Sequence, residues 1–366
     1  MLFRSRLTLM VARTAAAHGA AIANHTSVVG LLKDAAGTVR GATVEADGRR
    51  FDVQARAVVN AAGVWSDAIR AMDEGTDPQS IRPAKGIHIT VPWEKVRNDI
   101  AVIVPVPKDR RSIFVVPWGD FTYIGTTDTD YDGDPDDPQC TPEDVQYCLD
   151  AMNLAMGTPL TLDDVTGVWA GLRPLVAGGS VGDKTKDLSR KHAVRTSSGG
   201  VTTVTGGKLT TYRRMAADTV DAVAARLGVK AKSRTKKLRL LGAEGSQPDD
   251  EHLQSRYGSL GADVLTLAHS DPDLAAPLIP GLAYTRAEAV YAVREEMAGS
   301  LADVLERRTR ARIIARDASL AAAPSVAALI GAELGWDEAR IEAKVAEYAA
   351  SIAHERTVSA LPETAL

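Results

Sequence analysis

The stretch "VTGGKLTTYRRMAAD", residues 204–218, decides the fold. A β-type segment passes through two glycines and Lys208 into a segment of helical character. A helix N-terminus offers unpaired N–H groups and the positive end of the helix dipole, which suit phosphates and electron-rich cofactor rings. The stretch is not a P-loop, because Thr202 and Leu209 stand where that motif needs glycine and Ser or Thr. No G-x-G-x-x-G occurs in the chain either.

Length and composition limit the functional classes. A chain of 366 residues predicts two or three domains of about 100 to 150 residues. A net charge of −4 argues against a nucleic-acid partner. Cys140 and Cys148 are too few for a zinc site or a disulfide framework, which fits a reducing cytoplasm. The first residues do not follow a signal-peptide pattern, and no apolar run approaches the roughly 20 residues that span a bilayer.

The pattern changes along the chain. Residues 6–20 have helical spacing, and two strands after them are joined by a tight turn at Asp47 and Gly48. Residues 76–200 are rich in β-branched runs, interrupted by one helix that Thr141 would cap. Residues 246–354 are almost entirely helical in pattern. We therefore expect a mixed first part, a β-rich middle and a separate helical part.

A second junction resembles the first. "ARAVVNAAGVWSDAI", residues 55–69, predicts a buried strand from Arg56 to Asn60, a turn of small residues and a helix opened by Trp65 or Ser66. Small residues at such a turn let a backbone approach a ligand closely, as dinucleotide-binding folds require. From the residues alone, a plain strand-to-helix turn is an equally good interpretation.

The acidic stretch "GTTDTDYDGDPDDPQ", residues 125–139, matches the first half of a calcium-binding EF-hand loop. Its twelfth position is Gln139 instead of Glu, and Pro135 and Pro138 interrupt the loop. A strand precedes it where a helix is needed. We therefore favour an acidic surface loop that closes a strand.

Two further side chains are candidates for a pocket. Arg173 precedes a proline in "GLRPLVAG", so the chain is extended there and the guanidinium could face inward. Taken alone, a structural salt bridge is the better interpretation. His88 alternates with Ile87 and Ile89 and so points to the opposite face. A lone histidine of this kind is more often a surface or core residue than a catalyst.

Several stretches together carry a family resemblance. In order along the chain they are "VNAAGVWSDAI", "KGIHITVP", "FVVPWGDFTYIGTTDTDY", "GLRPL", "LSRKHAV", "GGKLTTYRRMA" and "YTRAEAVYAVREEMAGSLADVLERRTR". Their order and spacing resemble those of the FAD-dependent glycerol-3-phosphate dehydrogenases, especially the actinobacterial type. The resemblance covers residues 6–366. It implies an α/β plus α+β fold with an incomplete glutathione-reductase-like FAD-binding domain, an antiparallel-sheet substrate domain and a C-terminal all-α domain.

The resemblance also implies domain bounds. Residues 1–75 would form part of the FAD-binding domain, residues 76–200 the β-rich substrate domain, and residues 201–230 a return to the FAD-binding domain. Residues 240–366 would form the helical domain. The basic stretch "KAKSRTKK" before it is most simply a solvated linker.

The resemblance implies an activity. Members of the family that the chain resembles oxidise sn-glycerol 3-phosphate to dihydroxyacetone phosphate with FAD and pass the electrons to quinone. A phosphate needs several fixed cations, and the matching positions are Arg173, Arg190 and Lys208. His88 would accept or orient the hydroxyl proton. The residues that would contact FAD are Ala62, Gly63, Trp65, Gly206, Gly207, Leu209 and Thr210.

The resemblance implies a cytoplasmic protein that associates peripherally with the inner face of the plasma membrane. The basic segment "LERRTRARIIAR" could contribute, although a solvated or partner-facing helix is the safer interpretation. A homodimer is one option that the sequence leaves open.

One departure from the family affects the cofactor. Its members carry an N-terminal strand, a G-x-G-x-x-G turn and a helix that hold the FAD pyrophosphate, and the chain has no such turn. We interpret the chain as a fragment and expect it to bind FAD weakly or not at all and to be inactive alone. Two alternatives stay open: another FAD-dependent amine or amino-acid oxidase of the same fold, and a non-catalytic truncated module.

Overall fold

The structure is a computed structural model that describes residues 2–76, 78–106, 111–157, 159–176 and 191–364. It begins with helix α1 (Leu2–Ala17), which ends next to Gly19 as the sequence predicts. An antiparallel sheet follows, in the order β1 (Ser27–Lys33), β2 (Val39–Ala46) and β3 (Arg49–Gln54). Asp47 and Gly48 between β2 and β3 have φ angles of +48° and +70°. These values suit the tight two-residue turn that the sequence indicates.

A small three-stranded sheet contains the one parallel strand pair found among the described residues. Strand β4 (Val59–Asn60) lies beside β12 (Thr202–Thr205), and β11 (Ala193–Thr196) pairs with the other edge of β12. The prediction of a buried strand from Arg56 to Asn60 is wrong in length and in burial. Only two residue pairs join β4 to β12, and Val59 is 44% exposed. The apolar run indicates a strand, but its pairing partner decides how long the strand is.

The β-rich middle forms one antiparallel sheet in the strand order β10-β5-β8-β7-β6, with the short β9 beside β5. The alternation in "KGIHITVP" decides its two faces, because Ile87 and Ile89 are fully buried on one side. His88 points to the other. The strands are β5 (Ile81–Pro92), β6 (Val102–Val106), β7 (Arg111–Trp118), β8 (Phe121–Gly125), β9 (Thr129–Asp130) and β10 (Gly167–Val176).

Helix α4 (Pro142–Asn153) covers the buried face of this sheet. Thr141 caps it as predicted, since its side chain and that of Asp144 form a reciprocal capping box. Val145 and Leu149 pack with the isoleucines of β5 in one hydrophobic core. The opposite face of the sheet, which carries His88, is therefore the face left for a site.

The remaining regular elements of the described chain are helices. Helix α2 (Ser66–Glu74) follows a 3-10 turn at Gly63–Trp65, α3 (Trp93–Val96) follows β5, and α5 (Tyr212–Arg226) follows β12. The C-terminal helical region holds α6 (Glu251–Tyr257), α7 (Gly261–Ser270), α8 (Pro272–Ala275), α9 (Arg286–Glu296), α10 (Ala311–Ile314), α11 (Arg316–Leu334) and α12 (Glu338–Ser359), with a π-helical turn at Asp303–Arg308.

Several contacts join the helical region to the rest, and two of them bear on the site. Arg6 of α1 forms a salt bridge of 2.7 Å with the fully buried Glu296 of α9. Phe121, at the tip of the β7–β8 hairpin, is buried in the helical core that includes Leu305 and Ile330. Among the described helices, α11 is long and apolar enough to cross a membrane by length and composition. Its buried residues form part of this same helical core, which accounts for its apolar character.

Candidate functional site

A small recess lies on the His88 face of the central sheet, with a cavity volume of about 40 Å³. Its floor consists of Gly86 on β5 and Gly171 on β10, which are direct cross-strand partners. His88 and Arg173 also line it. The two glycines leave space because neither has a side chain above the sheet. A Cβ at Gly86 would lie 2.5 Å from Arg173 Nη2, so the guanidinium lies directly over this floor.

Arg173 is held from one side. Its Nη1 donates to Asp128 Oδ1 at 3.1 Å, and its Nη2 donates to Thr126 Oγ1 and to the Thr127 carbonyl oxygen at 3.2 Å. The side chain remains 28% exposed. The salt bridge favoured from the residues alone is therefore present, and the same guanidinium also faces the recess. Arg173 therefore combines the two roles that the sequence left as alternatives, a structural salt bridge and a position facing a pocket.

His88 is held by aromatic rings. Its imidazole stacks on Trp169 with the ring centroids 4.9 Å apart and the planes at 9°. The edge of Tyr123 meets the same imidazole at 5.7 Å. Burial raises the pKa of the Tyr123 hydroxyl, against the effect of the nearby Arg310. Tyr123 is therefore neutral at physiological pH, and the rings fix the orientation of the imidazole beside the recess.

The two predicted cofactor turns lie side by side. The parallel pairing of β4 with β12 places both strands' carboxyl ends at the same sheet edge. Ala62, Gly63 and Trp65 follow β4, whereas the glycine turn follows β12. The 63–65 turn also contacts β5 and β10, the two strands that carry the recess. Carboxyl ends of parallel strands are where open α/β folds bind ligands.

The glycine turn needs its glycines. Gly206 and Gly207 have φ angles of +71° and +81°, which residues other than glycine rarely adopt. A Cβ on Gly206 would lie 2.7 Å from the Lys191 carbonyl oxygen, and one on Gly207 would lie 2.5 Å from the Met215 sulfur. By contrast, Gly63 has a φ of +62° and open space where its Cβ would be. The backbone at Gly63 is thus open to close approach, whereas neighbouring atoms of this chain fill the space where side chains at Gly206 and Gly207 would begin.

The helix after the glycine turn does not begin directly after Lys208. Leu209, Thr210 and Thr211 form a 3-10 turn, and α5 begins at Tyr212. Three residues in a tighter turn separate Lys208 from the α-helix. Lys208 itself is exposed, and no ion pair of its side chain is present among the described residues. Arg190 lies outside the described residues.

Trp65 already makes a hydrogen bond within the protein. Its indole N–H donates to Asp136 Oδ1 in the acidic loop at 2.7 Å, and its side chain is 45% exposed. That loop is therefore tied to the 63–65 turn, and Asp128 in the same stretch holds Arg173. The strand predicted before the loop is β8, and β9 lies within it.

Sequence reasoning missed Trp169, Tyr123 and Asp128. The two-residue alternation of a strand could have identified Trp169, because it lies four residues before Arg173 and so shares its face of the sheet. Nothing local indicates Asp128, which is 45 residues away from Arg173 in the sequence.

Comparison with known proteins identifies the class. Residues 3–213 match the family described as FAD dependent oxidoreductase, and residues 233–341 match the C-terminal domain of alpha-glycerophosphate oxidase. The chain belongs to the FAD dependent oxidoreductase family.

Within that class the chain belongs to the glycerol-3-phosphate dehydrogenase branch. A solved glycerol-3-phosphate dehydrogenase from Bacillus halodurans, complexed with FAD, superposes with a TM-score of 0.81 at 30% identity, over 97% of this chain and 73% of that one. Glycerol-3-phosphate dehydrogenase 2 of Mycobacterium tuberculosis is 40% identical over 98% of this chain. The mitochondrial enzyme of Macaca fascicularis is 34% identical over 91%. The chain spans 64% and 50% of the lengths of these last two relatives.

Proposed function

We propose that the chain carries the substrate-binding part of an enzyme that oxidises sn-glycerol 3-phosphate to dihydroxyacetone phosphate. The observation that carries the proposal is the recess itself. Arg173 and His88, a cation for phosphate and a group that can take a proton, line one small space above two glycines. Amino-acid oxidation, the alternative from the same fold, is less well supported, because the solved relative named above is a glycerol-3-phosphate dehydrogenase.

The phosphate would bind to guanidinium and ammonium groups. Arg173 presents N–H donors in a fixed plane, and Asp128 and Thr126 already hold that plane over Gly86. A preorganised guanidinium loses little side-chain entropy when it binds a phosphate in bidentate fashion. Lys208 is the second cation in the proposal, and Arg190, assigned by resemblance alone, is the third.

His88 would act on the hydroxyl at carbon 2. Oxidation of an alcohol requires loss of its proton as well as its hydride, and a neutral imidazole can accept a proton near neutral pH. The stack on Trp169 and the edge contact with Tyr123 fix the ring plane, so the accepting nitrogen has a defined direction. The role of His88 is to hold or accept this proton.

The residues present suit the ring end of FAD. Gly63, Gly206 and Gly207 lie in turns that follow the carboxyl ends of two adjacent parallel strands, and Ala62, Trp65, Leu209 and Thr210 flank them. FAD would supply the acceptor of the hydride. No G-x-G-x-x-G turn for its pyrophosphate occurs in the sequence.

The remaining expectations belong to the same proposal. The central antiparallel sheet would be the substrate domain, and the parallel pair β4 and β12 would belong to a glutathione-reductase-like FAD domain. Quinone would take the electrons, and the protein would be cytoplasmic with peripheral contact to the inner face of the membrane. A homodimer stays open.

Calorimetric titration of glycerol 3-phosphate into the purified chain tests the proposal. Arg173→Gln should weaken binding by about tenfold or more, because it removes a charge-assisted pair of hydrogen bonds worth about 1.5 to 3 kcal/mol. Lys208→Gln should weaken binding of glycerol 3-phosphate but leave the weak binding of glycerol unchanged.

Arg50→Gln is the matched control, since Arg50 is a surface arginine paired with Glu45 on the separate β1–β3 sheet. It should bind glycerol 3-phosphate like the unmodified chain. If Arg173→Gln and Arg50→Gln bind glycerol 3-phosphate with equal affinity, the recess is not the substrate site.

A further inference from the structure

A second cavity lies at the junction between the β7–β8 hairpin and the helical region, with a volume of about 560 Å³. The hairpin contributes Trp118, and the helical region contributes Tyr284 and Arg310. Arg6 of α1 and Arg256 of α6 also line it. Three arginines thus border one cavity that is separate from the recess floored by Gly86 and Gly171.

Two of these arginines are already neutralised. Arg6 Nη1 meets the Glu296 carboxylate at 2.7 Å. Arg256 Nε donates to Glu288 Oε1 at 3.2 Å, and its guanidinium also donates to the Arg308 carbonyl oxygen. Their charges are therefore matched by buried carboxylates behind the cavity wall.

Arg310 differs from both. In the part of the chain that the structure describes, no carboxylate lies within salt-bridge distance of its guanidinium. Its Nε is buried and has no hydrogen-bond acceptor there. The guanidinium lies over the ring of Trp118, 3.9 Å from the ring centroid. A buried guanidinium N–H with no acceptor costs free energy, because its hydration is lost and nothing replaces it.

The electrostatic setting of Arg310 agrees with this geometry. Burial, together with the charges of Arg256 and Arg6, lowers the pKa of Arg310 to about 10. The cavity's own carboxylate, Asp120, is exposed at the hairpin turn and does not pair with Arg310. A negative charge in the cavity would face an arginine that has no counter-ion.

We propose that this cavity binds an oxyanion, a carboxylate or a phosphate group, through Arg310. Trp118 holds the guanidinium flat by a cation–π contact, which leaves its edge free to donate two parallel hydrogen bonds. Arg6 and Arg256 line the same cavity, but Glu296 and Glu288 match their charges, so Arg310 is the cation left for the anion. The site does not depend on the proposed dehydrogenase activity, since neither Arg173 nor Lys208 takes part.

Trp118 provides a local readout. Inorganic phosphate and acetate are titrated separately into the purified full chain, at ionic strength held constant with sodium chloride, and tryptophan fluorescence is recorded. Trp118→Phe identifies the part of the signal that comes from the cavity. We expect a saturable change with at least one of the two anions, and the comparison of phosphate with acetate tells which oxyanion the cavity prefers.

Arg310→Gln should weaken the anion affinity by about tenfold or more. Arg307→Gln is the matched control, because Arg307 is half-exposed and pairs with Asp303 in the preceding turn. It should leave the affinity unchanged. Lys208→Gln should also leave it unchanged, because Lys208 belongs to the proposed substrate site. Arg310→Lys, which keeps the charge but loses the planar fork, should weaken binding even if Arg310→Gln does not fold.

Three results would overturn the proposal. The first is the absence of a saturable change beyond the sodium chloride control. The second is full affinity in the folded Arg310 variants. The third is loss of the signal in Lys208→Gln, which would assign the anion to the other recess.

Discussion

At the scale of single residues, the recess depends on two glycines that lack side chains and on one arginine that lies above them. Gly86 and Gly171 leave room above the sheet, and Arg173 fills part of that room from the neighbouring strand. Thr126 and Asp128 hold the guanidinium from the opposite side. The position of one cation is thus set by two strands and the loop after β8.

The Gly86→Ala variant tests this arrangement. A Cβ there would lie 2.5 Å from Arg173 Nη2 and from Thr126 Oγ1, so the guanidinium must move away from the recess. We expect the affinity for glycerol 3-phosphate to fall by about tenfold, the effect of losing one charge-assisted contact. Calorimetry checks this result.

Gly157→Ala is the control for that variant, because a Cβ at this position would meet nothing within 4 Å and the φ of Gly157 is not positive. It should bind glycerol 3-phosphate normally. If Gly86→Ala binds as tightly as Gly157→Ala, Arg173 is not fixed by the floor of the recess.

Sequence alone predicts some of these residues and not others. Period-two alternation places His88 opposite Ile87 and Ile89, and the structure confirms it. The partner of Arg173 could not be predicted, because Asp128 reaches it only after two distant segments fold together. Local pattern defines the face of a residue, whereas tertiary pairing defines its partners.

At the scale of elements, the β7–β8 hairpin connects the site to the helical region. Phe121 at its tip is 8% exposed and packs in the helical core. Trp118 opposite it contacts both Tyr123 and Arg310. The hairpin therefore links the aromatic group around His88 with the cavity at the helical junction.

Phe121→Ala should lower the free energy of unfolding by about 3 kcal/mol, because it leaves a cavity in the helical core. Phe114→Ala, on the same hairpin but 46% exposed, is the control and should cost less than about 1 kcal/mol. Urea denaturation measures both values. Equal losses would mean that the hairpin tip does not anchor the helical region.

Helix α9 carries a buried carboxylate that makes the fold sensitive to acid. Glu288 accepts hydrogen bonds from His252, Arg256, Tyr257 and the Thr285 N–H. Burial acts to raise the pKa of Glu288, but the hydrogen bond from His252 and the charge of Arg256 outweigh it, so the pKa is lowered. A carboxyl group of this kind stabilises the fold above its unfolded pKa of about 4.3.

Two consequences can be measured by urea denaturation. The Glu288 contribution to stability should decline as the pH falls below about 4.3 towards its lowered pKa in the folded state. Glu288→Gln should cost about 3 kcal/mol at neutral pH, because it leaves Arg256 without its counter-ion. Glu295→Gln, with a 55% exposed side chain, should change stability by less than about 1 kcal/mol. A Glu288→Gln variant as stable as Glu295→Gln would contradict this account.

At the scale of the whole molecule, the order of elements was easier to predict than their extent. The tight turn at Asp47 and Gly48, the cap at Thr141 and the helical C-terminal region follow from local patterns. The short length of β4 and the late start of α5 do not, because both depend on neighbouring strands and turns. Local sequence determines the type of an element better than its ends.

Cofactor retention is a property of the whole chain. The sequence has no G-x-G-x-x-G turn, and β4 lies at the edge of a three-stranded sheet. We expect the 366-residue chain to lose FAD on gel filtration, which the ratio of flavin to protein absorbance measures. One flavin retained per chain would show that the turns after β4 and β12 are sufficient to hold it.

The central claim is that glycerol 3-phosphate binds in the recess between β5 and β10. A crystal structure of the chain with glycerol 3-phosphate tests it most directly. The account predicts the phosphate within hydrogen-bonding distance of Arg173 and the carbon 2 hydroxyl beside His88, over Gly86 and Gly171. A phosphate bound away from Arg173, or an empty recess at saturating ligand, would contradict it.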